Sequence, residues 1–157
     1  MTLFLGTHQN RLDAKGRVSV PASFRAAARQ NGDGNGNGVT HLVLRPSHKH
    51  PCIEAWPTTE FAALAAPLER LDIFGEDHDD LAPTLYADAF PVETDKEGRI
   101  VLPDLLIAHA GLGETVVFMG LGRIFQILEP QAAGRRREEA RERAKSRGLT
   151  LRRDGAA

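Results

Sequence analysis

The sequence predicts a mainly β protein with short helices, an α+β fold in which two similar halves share one barrel-like core. The first observation behind this prediction is a motif that occurs twice: DAKGRVSVP spans residues 13–21 and DKEGRIVLP spans residues 95–103. The second is the proline that closes each copy directly after a strand-forming segment. A chain that carries one supersecondary unit twice is expected to have approximate internal two-fold symmetry.

Each copy of the motif begins with a turn. Asp13 and Asp95 each stand three residues before a glycine, Gly16 and Gly98. A carboxylate in this position accepts hydrogen bonds from nearby backbone N–H groups, and glycine takes a positive φ without steric cost. The sequence therefore predicts that these four residues form structural turns, and that the two aspartates are not catalysts.

A short strand, a proline and a helix follow each turn. Residues 17–20 and 99–102 are sufficiently apolar and β-branched to form strands. Pro21 and Pro103 suit the first turn of a helix, because the N–H that proline lacks would have no partner there. Helices are predicted over residues 22–29 and 104–110, and Gly111 is predicted to end the second.

Further strands complete each half. Residues 40–44 are predicted to correspond to residues 115–119, and residues 52–57 to residues 125–130. The first half also contains an Asn/Gly-rich run at residues 31–38, which is predicted to be a mobile surface loop because it has no apolar side chain to bury. The shared core is predicted to contain Val18, Val20, Leu42, Leu44, Ile53, Ile100, Leu102, Val117, Ile124 and Ile127.

A helical connector joins the halves, so the chain divides into four parts. The first repeat covers residues 3–57, the connector 58–89, the second repeat 90–130, and an Arg-rich helical or disordered tail 131–157. In the connector, Thr58 or Thr59 is predicted to cap a helix over residues 60–66, which Pro67 kinks or ends. A second helix is predicted over residues 79–88, and residues 90–94 are predicted to form a strand.

Composition and charge exclude several classes of protein. The chain has 157 residues, 41% of them hydrophobic, and one cysteine, Cys52, which cannot form an internal disulfide. No apolar run is long enough to span a membrane, so a cytoplasmic protein without a membrane partner is predicted. The net charge is −1, but residues 1–30 are basic and residues 69–80 are acidic. Basic charge around the first motif is typical of proteins that bind nucleic-acid phosphates.

The two arginines of the motif are the main candidate binding residues. Arg17 and Arg99 each follow a glycine turn at the start of a strand. A guanidinium there can bind guanine O6 and N7, or a phosphate, through two hydrogen bonds. Three other cations lie close in sequence to one of these arginines and are predicted to attract DNA phosphates less specifically: Arg11, Lys15 and Lys96. The alternative role for each arginine is an ion pair within the turn, with the preceding aspartate.

Little in the sequence suggests catalysis or metal binding. His48, His50 and Cys52 have a spacing that metal ligands can have, but only His78, among three aspartates, offers further support. No GxSxG, HExxH or paired-cysteine motif is present. No enzymatic activity, cofactor, metal or small-molecule substrate is therefore predicted.

The sequence resembles the MraZ family over residues 3–130. The resemblance consists of the doubled motif, the helices that follow its prolines, the lead-in Asn10-Arg11-Leu12 and the spacing of the halves. That family belongs to the AbrB-like class of transcription factors. The resemblance implies two swapped-hairpin halves, of the double-split β-barrel type, in one chain. It also implies a bacterial regulator of the division and cell-wall gene cluster that binds double-stranded DNA at its own promoter, in the nucleoid, as a homo-oligomeric ring. Such a ring suits short direct repeats spaced by about one DNA turn, 10 bp.

This sequence departs from the family pattern at two places. Leu5 stands where some members have an arginine before the early glycine, and Glu97 occupies the place in the second motif that Lys15 occupies in the first. The first motif is therefore predicted to bind DNA better than the second. The competing hypothesis is a ring-forming protein-interaction module with weak or no DNA binding.

Overall fold

A computed structural model describes residues 3–30 and 38–152. Most of the predicted Asn/Gly loop, residues 31–37, and residues 153–157 of the tail lie outside the described residues. The strands are β1 (Thr7–Arg11), β2 (Arg17–Ser19), β3 (His41–Pro46), β4 (Ile53–Pro57), β5 (Phe90–Glu93), β6 (Arg99–Val101), β7 (Thr115–Gly120) and β8 (Phe125–Leu128). The helices are α1 (Ala22–Gln30), α2 (Thr58–Ala62), α3 (Ala65–Glu69), α4 (Glu76–Tyr86), α5 (Asp104–Ala110) and α6 (Pro130–Ser146).

The strands pair antiparallel throughout the described residues. Six of them form a sheet in the order β1-β7-β8-β4-β3-β5, and β2 pairs with β6 in a separate ribbon. The predicted α+β class, mostly antiparallel sheet with short helices, is confirmed. The barrel-like closure was wrong for the described strands, because β1 and β5 remain edges that pair on one side only, with β7 and β3.

Strands of each repeat pair with strands of the other, in addition to the β3–β4 and β7–β8 pairs within each repeat. β1 of the first repeat pairs with β7 of the second, and β5 of the second pairs with β3 of the first. In the ribbon, Val18 lies opposite Ile100, the residue at the same position of the second motif. In the sheet, Glu54 of β4 lies opposite Gln126 of β8.

Hydrogen bonds at the start of β3 and β7 shift the predicted correspondence of the halves by one residue. The Leu12 N–H donates to the Glu114 carbonyl at 2.8 Å, and the Thr94 N–H, at the same point of the second repeat, donates to the Thr40 carbonyl at 3.0 Å. Thr40 therefore corresponds to Glu114, not to Thr115. The sequence pattern could not fix this register, because both segments are runs of consecutive apolar residues in which either alignment matches.

The helices of the repeats begin where the sequence predicts, and α5 also ends there, whereas α1 extends one residue further, to Gln30. α1 and α5 start directly after Pro21 and Pro103. Gly111 ends α5 with a φ of +61°.

The connector helices differ from the prediction. Pro57, without a side-chain cap, precedes α2, so Thr58 is already helical and neither threonine acts as the cap. The single helix expected over residues 60–66 is divided into α2 and α3, and α3 contains Pro67. α4 starts at Glu76, earlier than predicted, because Gly75 supplies the extended residue before it.

One apolar core joins both repeats and α1. Phe24 of α1 lies among the rings of Phe4, Phe118 and Phe125, at centroid distances of 5.3, 6.5 and 4.8 Å. Two predicted core residues lie elsewhere: Val117 packs in a second cluster with Ala133 of α6, and Ile124 is only half-buried before β8. The others all lie in the main core: Val18, Val20, Leu42, Leu44, Ile53, Ile100, Leu102 and Ile127.

The tail is helical up to Ser146. Glu129 caps α6, because its carboxylate accepts hydrogen bonds from the backbone N–H groups of Gln131 and Ala132, at 3.0 and 2.9 Å. This bond pattern satisfies donors that a helix start otherwise leaves unpaired. None of the helices in residues 3–30 and 38–152 has the length and apolar character needed to cross a bilayer.

Candidate nucleic-acid interface

The first motif folds into a turn that Asp13 closes. Its Oδ1 accepts hydrogen bonds from the backbone N–H groups of Lys15 and Arg17, at 2.9 and 2.8 Å. Gly16 has a φ of +79°, a conformation that favours glycine. A Cβ at Gly16 would also lie 3.2 Å from the Leu102 carbonyl oxygen, so the turn packs closely against the opposite motif.

The second motif repeats this geometry. Asp95 Oδ1 accepts hydrogen bonds from the backbone N–H groups of Glu97 and Arg99, both at 2.9 Å. Gly98 has a φ of +78°. The change from Lys15 to Glu97 therefore alters the charge of the turn but not its backbone.

Each aspartate also holds the arginine side chain. Arg17 Nε donates to Asp13 Oδ2 at 2.7 Å, and Arg99 Nε donates to Asp95 Oδ2 at 2.9 Å. The ion pair with the preceding aspartate, which was the alternative role for both arginines, is thus present. It engages Nε, the guanidinium nitrogen nearest the backbone. The terminal nitrogens differ, because Arg99 Nη2 donates to Glu97 Oε2. Those of Arg17 form no hydrogen bond to any described residue, which leaves its end-on N–H pair available to a ligand.

The turns keep both carboxyl groups ionised. The backbone N–H of Arg17 is the main cause that lowers the pKa of Asp13 below its usual value, and the backbone N–H of Arg99 does the same for Asp95. The hydrogen bond from its side chain to Asp95 raises the pKa of Arg99. Both carboxylates therefore act as fixed acceptors and have no proton to donate near neutral pH.

The two arginines share the outer face of the ribbon formed by β2 and β6. Val18 and Ile100 point into the core and are each 1% exposed, so their neighbours along each strand face outward. Arg17 pairs with Val101, and Arg99 pairs with Ser19. This register makes the two arginines diagonal neighbours, about 7–8 Å apart at the backbone. One ligand of the width of a DNA strand could contact both.

The other predicted cations lie around this ribbon at different places. Lys15 and Lys96 are exposed in the two turns. Arg11, at the end of β1, lines a groove of about 480 Å³ together with Asp13 and Glu114. Arg11 is therefore placed beside two acids, and not beside cations alone as the basic sequence segment suggested.

Two arginines of α1 extend the basic surface and were not predicted as site residues. Arg25 and Arg29 line a groove of about 500 Å³ with Lys96 and Gly98. Arg25 Nη1 donates to the Val20 carbonyl at 2.5 Å, and a Cβ at Gly98 would lie only 2.6 Å from that nitrogen. The sequence signal that could have identified them is their spacing of four residues along a helix, which places both side chains on one face.

The surroundings of the two turns are therefore unequal. The corresponding neighbour of Gly16 is Ile107, whose Cδ1 would lie 3.7 Å from a Cβ at that glycine. The first turn thus packs on an apolar side chain and the second on a guanidinium. The basic charge of residues 1–30 is divided between the two turns as a result, since α1 contributes Arg25 and Arg29 to the second.

The histidine and cysteine residues considered as metal ligands do not form a cluster. Among residues 3–30 and 38–152, no three His, Cys, Asp or Glu side chains are grouped as metal ligands. Cys52 is buried, and burial raises the pKa of its thiol to about 12. Burial is also the main cause that lowers the pKa of His50.

Fold and site together define an antiparallel α+β protein that presents two Asp-anchored arginines, from a repeated turn, on one exposed ribbon. The chain belongs to the MraZ family. The family model, described as "MraZ protein, putative antitoxin-like", matches residues 3–82 and 85–146. The match therefore continues past residue 130, where the resemblance seen in the motifs ended, and includes α6.

Curated relatives match the chain over nearly its full length. The chain is 60% identical to the transcriptional regulator MraZ of Gluconacetobacter diazotrophicus, over 100% of this chain and 99% of the relative. It is 59% identical to the protein of the same name from Gluconobacter oxydans, over 93% of this chain and 87% of the relative. The identity to the Rickettsia canadensis protein of that name is 37%, over 97% and 98% of the two chains.

Proposed function

We propose that this protein is a sequence-specific, DNA-binding transcriptional regulator, and that the arginine ribbon is its DNA-contacting surface. Two relatives named transcriptional regulator, 60% and 59% identical over 100% and 93% of this chain, support the general role. The proposed target is the promoter of its own division and cell-wall gene cluster, in the cytoplasm at the nucleoid.

The observation that carries the proposal is the hydrogen bonding of Arg17. Its Nε is bound to Asp13, its backbone is fixed by the same carboxylate, and its terminal nitrogens have no hydrogen-bond partner in the described residues. A guanidinium oriented in this way has lost most of its conformational freedom before binding. It can then donate two parallel hydrogen bonds to guanine O6 and N7.

The remaining cations are proposed to hold the DNA backbone. Lys15, Lys96 and Arg11 have the exposure needed for contacts with phosphates. Arg25 and Arg29 add positive charge beside the second turn, where Arg99 is partly neutralised by Glu97. We therefore assign base recognition mainly to Arg17, and phosphate attraction to both turns.

The proposed architecture is two AbrB-like swapped-hairpin halves related by approximate two-fold symmetry, covering residues 3–57 and 90–130, with the connector at 58–89 and a tail after residue 130. The exchange of strands between repeats supports it, since β1 and β5 pair with β7 and β3 of the opposite half. Val18 opposite Ile100, at equal motif positions, is the register that such symmetry requires.

Self-association is the second part of the proposal. A homo-oligomer, closed as a ring, would present one ribbon per subunit at regular intervals, which suits short direct repeats about 10 bp apart. Several ribbons would then bind one DNA molecule at once, and the affinities of individual subunits would combine through effective concentration.

A gel-shift titration tests the proposal. The probes are the duplex upstream of the gene for this protein and a scrambled duplex of equal length and composition, each between about 50 and 200 mM salt. Preferential binding to the upstream duplex, which weakens as salt rises, is expected. Equal weak binding to both duplexes by an assembled protein would favour the competing hypothesis of a protein-interaction ring.

A further inference from the structure

We propose that the groove beside the second turn is a binding site for one phosphate of the DNA backbone, formed by Arg25, Arg29 and Lys96. This phosphate site has no counterpart beside the first turn. It gives a direction to the DNA element that each subunit recognises, because the base contact of Arg17 and the phosphate contact then lie at opposite ends of the ribbon. The inference rests on the proposed DNA binding and names the contact that orients it.

Arg25 is held against the second turn at a place where only glycine leaves room for it. Its Nη1 donates to the Val20 carbonyl at 2.5 Å. A Cβ at Gly98 would lie 2.6 Å from that nitrogen and 2.9 Å from Nε, closer than side chains can approach. The guanidinium is therefore fixed beside the turn before any ligand binds, which lowers the entropic cost of binding. Its Nη2 forms no hydrogen bond with a described residue and can donate to a phosphate oxygen.

The charges in the groove favour an anion. Two carboxylates line it, Asp95 and Glu97, but both already accept hydrogen bonds from Arg99. Three cations also line it, and none of them forms an ion pair with a described residue: Arg25, Arg29 and Lys96. Cations that no carboxylate of the protein balances are suited to contacts with DNA phosphates.

The second repeat supplies no arginine at the place of Arg25. Arg25 stands four residues after the proline that precedes α1, and Ile107 stands four residues after the proline that precedes α5. Gly111 likewise occupies the place of Arg29, eight residues after the proline. Ile107 lies against the first turn, since its Cδ1 would be 3.7 Å from a Cβ at Gly16. The first turn therefore has an apolar neighbour where the second has a guanidinium.

The groove beside the first turn has the opposite balance of charge. Its lining contains one cation, Arg11, and two carboxylates, Asp13 and Glu114. Asp13 is bound to Arg17, but Glu114 forms no ion pair with a described residue. A phosphate is therefore bound less well in this groove than in the one beside the second turn.

The phosphate site and Arg17 lie at opposite ends of one ribbon. β2 and β6 are antiparallel, so the turns that precede these strands lie at different ends. Two equal ends would fit a DNA element with two-fold symmetry, which is the same from either direction. One end that reads a base and one end that binds a phosphate fit an element with a direction, as a short direct repeat has.

α6 provides a control surface that lies away from this site. Val116 of β7 packs in the core with Val18 of the ribbon, whereas the next residue, Val117, packs with Ala133 of α6. Successive residues of a strand point to opposite faces of a sheet, so α6 covers the face opposite to the ribbon. Arg141 is exposed on α6, and its replacement removes one positive charge from that opposite face.

Ethylation interference on the upstream duplex tests the inference. Ethylation removes the charge of single phosphates, and the duplexes that the protein no longer binds show which phosphates it contacts. One variant is Arg25→Ile, which introduces the residue found at the corresponding place in α5. The other is Lys96→Gln, which changes an exposed side chain of the turn and leaves Arg25 in place. Arg141→Ile is the matched control, and circular dichroism checks that each protein is folded.

We expect Arg25→Ile and Lys96→Gln to bind about tenfold less tightly per engaged subunit. The slope of log affinity against log salt should fall by about 0.9 per engaged subunit. In both variants the same phosphate of each repeat should cease to be sensitive to ethylation. That phosphate should always lie on the same side of the guanine whose methylation no longer matters in Arg17→Ala. Arg141→Ile should keep the affinity and the pattern of the parent.

The other outcomes separate the site from the function on which it rests. Variants that keep every ethylation-sensitive phosphate of the parent would overturn the phosphate site, and Lys96→Gln decides this alone if Arg25→Ile does not fold. Sensitive phosphates lost on both sides of the guanine would overturn the direction. An equal loss of affinity in Arg141→Ile would assign the effect to net charge. A parent that binds the upstream and scrambled duplexes equally would instead contradict the proposed function.

Discussion

Asp13 accepts hydrogen bonds from both the backbone N–H and the Nε–H of Arg17, at 2.8 and 2.7 Å. One carboxylate therefore shapes the turn and aims the side chain that follows it. Asp95 and Arg99 repeat the arrangement, but Glu97 takes up one terminal nitrogen of the second arginine. The carboxylate of each aspartate thus connects the stability of its turn to the orientation of the arginine that is proposed to contact DNA.

The turn carboxylates make stability depend on acidic pH. Because the folded-state pKa values of Asp13 and Asp95 lie below the ordinary value of 3.8, their contribution is fully present above pH 3.8 and is lost as the pH falls through the lower values. Thermal midpoints from neutral to acidic pH measure this loss. The variant Asp13→Asn/Asp95→Asn should show a smaller fall than the parent. An equal fall in both proteins would assign the effect to other carboxylates.

Replacing the turn glycine should destabilise the fold. Gly16→Ala forces a side chain into a φ of +79° and brings a Cβ to 3.2 Å from a carbonyl oxygen. A loss of about 1–2 kcal/mol in the free energy of unfolding is expected. Gly134→Ala, in the middle of α6 with open space around it, is the matched control and should gain up to about 1 kcal/mol. Urea unfolding compares the two. A neutral Gly16→Ala would contradict the account of the turn.

The ion pair of Arg45 and Glu54 should be intolerant of single substitutions. Its side chains are 2% and 13% exposed, and Glu54 also accepts the indole N–H of Trp56. Glu54→Gln leaves a buried guanidinium without its counter-charge and should lower the free energy of unfolding by about 3–5 kcal/mol. The double variant Arg45→Met/Glu54→Leu should recover much of that loss. If Glu54→Gln unfolds in urea at the same midpoint as the parent, the pair is not structural.

Lys15 should contribute to DNA affinity without contributing to sequence preference. It is exposed in the turn and has no side-chain partner among the described residues. Lys15→Ala is expected to weaken binding to the upstream and scrambled duplexes equally. The slope of log affinity against log salt should fall by about 0.9 per engaged subunit, the value for one phosphate contact. A change confined to the upstream duplex would instead indicate that Lys15 contacts a base.

The local features of the fold could be predicted because they depend on neighbouring residues. Pro21 and Pro103 begin helices, and Gly111 ends one in the left-handed conformation. Each of these outcomes is decided by the backbone preferences of one residue and its nearest hydrogen-bond partners. The cap predicted at Thr58 or Thr59 was wrong for a related reason, since the extended Pro57 directly before them already starts the helix.

The features that depend on contacts between distant parts of the chain could not be predicted from the sequence in the same way. The contact of Arg25 with Gly98 joins α1 to a turn that is distant in sequence, and no local sequence pattern predicts it. The correspondence of Thr40 with Glu114 is fixed by hydrogen bonds to strands of the opposite repeat. Apolar runs tolerate a shift of one residue in sequence, whereas a hydrogen-bonded ladder does not.

The binding of Arg17→Ala to the upstream duplex, measured against that of Arg99→Ala, tests the central claim most directly. We expect Arg17→Ala to remain folded and assembled, and to lose about 1–3 kcal/mol per engaged subunit on the upstream duplex, with little preference left over the scrambled duplex. Arg99→Ala should lose less, since Glu97 already occupies part of its guanidinium. An Arg17→Ala variant that binds the upstream duplex as tightly as the parent, with the same salt dependence, would contradict the claim that this ribbon recognises DNA.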